Sequence, residues 1–133
     1  MIVDTSALVA IVRNEIDKPV FFERLVQAAE AGEAIRMSAG TLVELFIVID
    51  RFKDPSVSRL LDGLLAELAL EIIPVERELT VVARAANRRF GKGFHPARLN
   101  FGDCFAYALA KQSGEPLLFK GEDFAQTDIV SAV

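Results

Sequence analysis

With 133 residues, 52% of them hydrophobic, the chain can build one packed core over residues 1–133 and is too apolar for long-range disorder. The single cysteine, Cys104, excludes a disulfide within the chain and suits a reducing cytoplasm. No run approaches the ~18 apolar residues of a membrane span, and the net charge of −4 excludes a uniformly basic polyanion binder.

The elements follow in chain order. Ile2-Val3 reads as a short strand closed by Asp4-Thr5-Ser6, all good N-cap residues for the helix behind them. The apolar start is not a secretory signal, because it lacks a basic leader and Asp4 interrupts it. Pro19 suits the first turn of a second helix, which Gly32 stops. Ile35 to Met37 is a second strand, and Ser38 caps a helix reaching about Phe52. Pro55 opens a helix ending near Ala69, and Ile72-Ile73 is a third strand. A helix from Glu76 to Phe90 stops at Gly91, and the loop to Asn100 leads into a helix ending near Gly114. Leu117 to Phe119 is a fourth strand, with Ile129-Val130 as a candidate fifth.

Strands alternating with helices imply an α/β protein with a parallel sheet and helices on both faces. Ligands of such sheets sit in the crevice beyond the carboxyl ends of the strands, and the acids here cluster at those ends. Asp4 closes the first strand; Thr5 or Ser6 can cap the following helix in its place and release it for other work. Glu44 lies in the run Thr41 to Ile49, where its neighbours at helical spacing are Gly40, Thr41, Ile47 and Val48. No cation is among them, and a buried charge needs a partner or a metal. Asp103 enters the first turn of the helix that Asn100 caps, where the helix field favours an ionised acid by roughly 0.3–1 kcal/mol. Glu122, Asp123 and Asp128 follow the fourth strand; Asp123 is favoured to join the cluster. Several carboxylates converging without a cation repel one another. A divalent ion removes that repulsion, and all-oxygen ligation selects Mg²⁺ or Mn²⁺ over zinc.

Four stretches together resemble a known family: Asp4-Thr5-Ser6-Ala7, Glu44 in its apolar helix, Asn100-Phe101-Gly102-Asp103-Cys104, and Leu117-Leu118-Phe119-Lys120-Gly121-Glu122-Asp123-Phe124. They resemble, over essentially the whole chain, the PIN-domain toxins of bacterial toxin–antitoxin pairs, the VapC ribonucleases. The resemblance implies a single PIN domain, a three-layer α/β/α sandwich around a mainly parallel, twisted sheet of four or five short strands. It implies an endoribonuclease that uses Mg²⁺ or Mn²⁺ to cut structured RNA such as tRNA or rRNA. It also implies a homodimer held by a cognate VapB-type antitoxin in a toxin–antitoxin hetero-oligomer, away from any membrane. Carried over by position, Asp4 and Asp103 are the central metal ligands, and Glu44 completes the set or acts through water. Asp123 is the fourth catalytic acid, and Thr5, Ser6 and Glu122 support the ligands. Many relatives place an acid or Asn where this chain has Lys120-Gly121, so Glu122 competes with Asp123 for the fourth position.

Charge distribution adds a substrate grip. No acid lies between Glu78 and Asp103, while Arg84, Arg88, Arg89, Lys92, His95 and Arg98 all do. Lys92, His95 and Arg98 are expected to hold the RNA backbone just ahead of Asp103, with Lys120 at a further phosphate. Two other readings compete. A phosphoacceptor signalling domain also carries acids at strand ends and a late Lys, but here the third strand runs into Pro74 with no acceptor Asp. A PIN-like binding module without catalysis gains no support, since every expected acid is present. The helices from Pro19 to Ala31 and from Pro55 to Ala69 are candidate partner surfaces; Phe21 and Phe22 cannot both face one core.

Overall fold

A computed structural model describes residues 1–133. The elements are β1 (Ile2–Val3), α1 (Thr5–Val12), α2 (Lys18–Glu30), β2 (Arg36–Ser38), α3 (Ala39–Arg51), α4 (Pro55–Glu67), β3 (Glu71–Ile73), α5 (Arg77–Phe90), α6 (Asp103–Ser113) and β4 (Leu117–Leu118), followed by a 3₁₀ turn at Phe124–Gln126. The four strands are all parallel, in the order β3-β2-β1-β4. β1 therefore lies in the middle, with Ile2 opposite both Arg36 and Leu117.

Side chains alternate across a strand, and that alternation divides the core. Val3 and Leu118 enter a cluster with residues of α1 to α4, such as Leu8, Leu25, Leu45 and Leu61. Ile2 and Leu117 enter the opposite cluster with Leu79 and Phe90 of α5 and Tyr107 of α6. The result is the expected three layers. No helix is long and apolar enough to cross a membrane.

The expected fifth strand is absent. Beyond the 3₁₀ turn the chain makes one bridge, Ser131 to Leu117, with Leu117 N–H donating to Val130 O at 2.9 Å. A single bridge fixes the C-terminal segment against β4 without extending the sheet. Phe21 is buried and Phe22 exposed, as their adjacency on α2 requires.

Candidate active site

The centre of the site is the β1–α1 junction. The extended backbone of Asp4 makes it the N-cap of α1, and its Oδ2 accepts from Ser6 N (2.9 Å) and Ser6 Oγ (2.6 Å). The expectation that Thr5 or Ser6 would relieve Asp4 of capping is thus corrected. Only the residue preceding the helix has non-helical backbone, so only its carboxylate reaches the free N–H groups of the first turn. Capping occupies one oxygen. Asp4 Oδ1 is buried with no hydrogen-bond partner, an arrangement that costs free energy unless something binds there.

Thr5 ties the junction to α3. Its hydroxyl donates to Glu44 Oε2 at 3.0 Å and lies 3.3 Å from Thr41 O. Glu44 is half-buried in a helix that is apolar on both faces: Leu45 and Ile49 face the core, while Val43, Phe46 and Ile47 face solvent. The Glu44 carboxylate lies directly over Gly102, in space that any side chain at 102 would fill. Gly102 is thus where α3 and the α6 entry meet.

Asp103 completes the group from α6. Asn100 N–H donates to Asp103 Oδ2 (2.7 Å), and Asp103 N–H donates back to Asn100 Oδ1 (2.9 Å). This reciprocal pair closes the helix entry as a capping box does. Burial pushes the Asp103 carboxyl up to about 7, opposed by the Asn100 bond and reinforced by the charges of Asp4, Glu44 and Asp123. The helix field therefore does not keep Asp103 fully ionised by itself, because desolvation is the larger effect. Burial also raises Asp4, against the Ser6 bonds, and Glu44, where Asp4 adds to it.

Asp123 stands exposed ahead of the 3₁₀ turn, and its charge is felt at both Asp4 and Asp103. Glu122, beside it, is also exposed. Asp128 lies elsewhere, bound by Tyr107 Oη (2.6 Å) and paired with Arg89 and Lys111.

No Lys or Arg pairs with Asp4, Glu44, Asp103 or Asp123. The acids feel one another's charge but stand apart: no three acid, His or Cys side chains stand at metal-holding distance. Like charges lacking a counter-ion are expected to stand apart in this way. Two observations fit the site to a hard divalent cation: an all-carboxylate donor set and the orphaned Asp4 Oδ1.

The basic residues are distributed differently from the expectation. Lys120 Nζ is held by Glu15 and Asp17, each at 2.7 Å, so its charge is spent within the protein. This corrects its assignment to a phosphate and equally removes the cation a phosphoacceptor site needs. Its backbone N–H donates to Ser6 Oγ (2.9 Å), making Ser6 the link between the β4 loop and Asp4. Lys92 and Arg98 are exposed in a hollow shared with His95. His95 Nδ1 accepts from Ala97 N (3.1 Å) and the ring meets Phe90 edge-on, so His95 shapes the loop. None of the four acids borders that hollow. Sequence reasoning missed the Thr5–Glu44 bond, although Thr beside a first-strand acid was its available signal.

A PIN domain family model matches residues 1–130. Ribonuclease VapC28 of Mycobacterium tuberculosis is 46% identical, covering 100% of this chain and 98% of the relative. Ribonuclease VapC30 of the same organism is 48% identical, covering 98% and 97%. Among solved structures, M. tuberculosis VapC20, described as a Sarcin-Ricin loop cleaving toxin, superposes with TM-score 0.72 at 19% identity, covering 97% of this chain and 95% of that one. A toxin–antitoxin complex from Klebsiella pneumoniae gives TM-score 0.65 at 18% identity, covering 99% and 97%. These two likenesses concern the fold.

Proposed function

The chain belongs to the PIN-domain family and is one of its VapC-type ribonucleases, and from that premise we propose how its own residues perform the reaction. The protein is the toxin of a toxin–antitoxin pair, an endoribonuclease that hydrolyses phosphodiester bonds of structured RNA. Asp4, Asp103 and Glu44 hold a divalent cation, Mg²⁺ or Mn²⁺, with Asp123 as the fourth acid. The observation that carries this reading is the buried, unpartnered Oδ1 of Asp4, among acids whose charges it feels and that no protein cation neutralises.

Each side chain then has a task. Ser6 and the α1 N–H groups fix Asp4 through Oδ2 and leave Oδ1 as the donor. Thr5 orients Glu44, and Asn100 orients Asp103. Gly102 keeps the backbone low enough for Glu44 and the substrate to share one space. When bound, the cation offsets the carboxylate charge, polarises the phosphoryl group and acidifies water. Asp123, exposed at the rim, accepts a proton or orients water at the open side. Lys92 and Arg98 hold the RNA backbone.

A cognate antitoxin and a second copy of the chain are the proposed protein partners. Exposed Val20 and Phe22 on α2, and Val43, Phe46 and Ile47 on α3, supply apolar surface for them. RNA cleavage in Mg²⁺ or Mn²⁺, with and without EDTA, for wild type and Asp4→Ala, tests the reading. Cleavage that survives EDTA, or full activity in the variant, overturns it.

A further inference from the structure

One pocket beside the carboxylate site has no part in the chemistry above. It has a volume of about 410 Å³, lies between α5 and the start of α6, and is lined by Phe101, Phe105, Arg84, Asn87, Thr80 and Cys104 among others, within the size range of ligand pockets. Phe101 is 81% exposed, so its ring is open to a partner. Its ring meets Phe105 edge to face at 5.0 Å. Phe105 in turn is pressed on Gly40, where a Cβ would come within 2.7 Å of its ring. The aromatic wall is therefore fixed from below by α3.

The opposite wall is polar. Arg84 and Asn87 lie one turn apart on α5, and neither side chain has a hydrogen-bond or ion-pair partner in the protein. No acid lines the pocket, and none occurs between Glu78 and Asp103. Phe101, Cys104 and Phe105 of the pocket wall flank Asp103 in the chain, so the α6 entry serves both the pocket and the acid group. A flat π surface, unpaired donors on its rim and a phosphate-handling site next door match a nucleotide base.

We propose that the pocket receives one unpaired base of the RNA, adjacent to the phosphate being cut, and that Phe101 stacks on it while Arg84 and Asn87 select its identity. The inference rests on the ribonuclease reading and extends it to the determinant of cleavage position. The donor-only guanidinium of Arg84 favours a base with acceptors along its edge, as guanine has in O6 and N7.

Two measurements test it. First, a random-sequence RNA pool is cut and the new ends sequenced. Wild type is expected to show a base preference at one position flanking the cut, which Arg84→Ala and Phe101→Ala erase; a preference unchanged in both variants overturns the proposal. Second, a fluorescein-labelled single-stranded RNA decamer is bound to Asp4→Asn protein, where hydrolysis is blocked. Adding Phe101→Ala is expected to weaken binding roughly 5- to 150-fold, the range for one stacked base, with Phe101→Tyr restoring it. Equal affinity refutes the pocket and leaves the ribonuclease standing. The binding loss without any wild-type cleavage refutes the ribonuclease and leaves the pocket. Sedimentation of Phe101→Ala decides the remaining case: dissociation of an oligomer makes the pocket a protein interface and overturns the proposal.

Discussion

The Glu44 carboxylate rests on the backbone of Gly102, in the volume a β-carbon at 102 would take. Two elements distant in sequence, α3 and the α6 entry, are brought into register by the absence of one methyl group. Gly102→Ala is therefore expected to push Glu44 off the site while the folded core survives. RNA cleavage should fall by about 10- to 100-fold or more, the usual loss when a ligand or its support is displaced. Circular dichroism should stay that of the wild type. Wild-type cleavage in Gly102→Ala would remove Glu44 from the mechanism.

Burial raises the Asp103 carboxyl to about 7, whereas in the unfolded chain an Asp titrates near 3.9. Between those values the folded protein keeps a proton that the unfolded chain has lost. Without metal, this residue's contribution to stability is thus intact at low pH and is lost as pH rises through about 7. Asp103→Asn removes the loss, on the order of a few kcal/mol as an upper bound. In EDTA the variant should melt on the order of 5 °C above wild type at pH 8 and close to it at pH 4. Mn²⁺ should raise the wild type and not the variant. A variant less stable than wild type at pH 8 would contradict this account of the site.

Ser6 Oγ accepts from Lys120 N–H and donates to Asp4 Oδ2. Ser6→Ala breaks both bonds but leaves the backbone N–H of residue 6 on Asp4. At about 1 kcal/mol per bond the stability cost is about 2 kcal/mol, and cleavage should fall about 10- to 100-fold. Equal activity in Ser6→Ala and wild type would mean that Asp4 is positioned by the backbone alone.

Lys92 and Arg98 are exposed, while Lys120 is occupied by Glu15 and Asp17. Lys92→Glu with Arg98→Glu should weaken RNA binding and reduce the salt slope by about 2. Lys120→Gln should leave that slope where it was. The reverse pattern would move the phosphate contact from the α5–α6 loop to the β4 loop.

Much of this site is legible in the sequence because short-range rules act on it. A two-residue strand ending in Asp-Thr-Ser, a Glu without a cationic helical neighbour, and an Asn-x-x-Asp helix entry each carry their meaning within a few residues. The layers followed equally well, since β1 and β4 alternate between two apolar cores. What failed depends on distant residues. Whether Lys120 faces a phosphate or a carboxylate is decided by Glu15 and Asp17, more than a hundred residues away in sequence. The Ile129-Val130 run has strand composition, yet the 3₁₀ turn before it leaves only one bridge to Leu117. Capping propensity alone does not tell which of Asp4, Thr5 and Ser6 has the extended backbone of an N-cap, and the structure gives it to Asp4. The pocket behind Phe101 depends on α5 packing beside α6 and has no local signature.

On the proposed reading, Asp4 and Asp103 together hold a divalent cation for RNA hydrolysis. Electron paramagnetic resonance of Mn²⁺, titrated into wild type, Asp4→Asn and Asp103→Asn, tests it most directly. The expected result is bound Mn²⁺ in the wild type, with binding lost in both variants together with RNA cleavage. Mn²⁺ bound equally by all three proteins, or cleavage by a wild type that binds none, would contradict it.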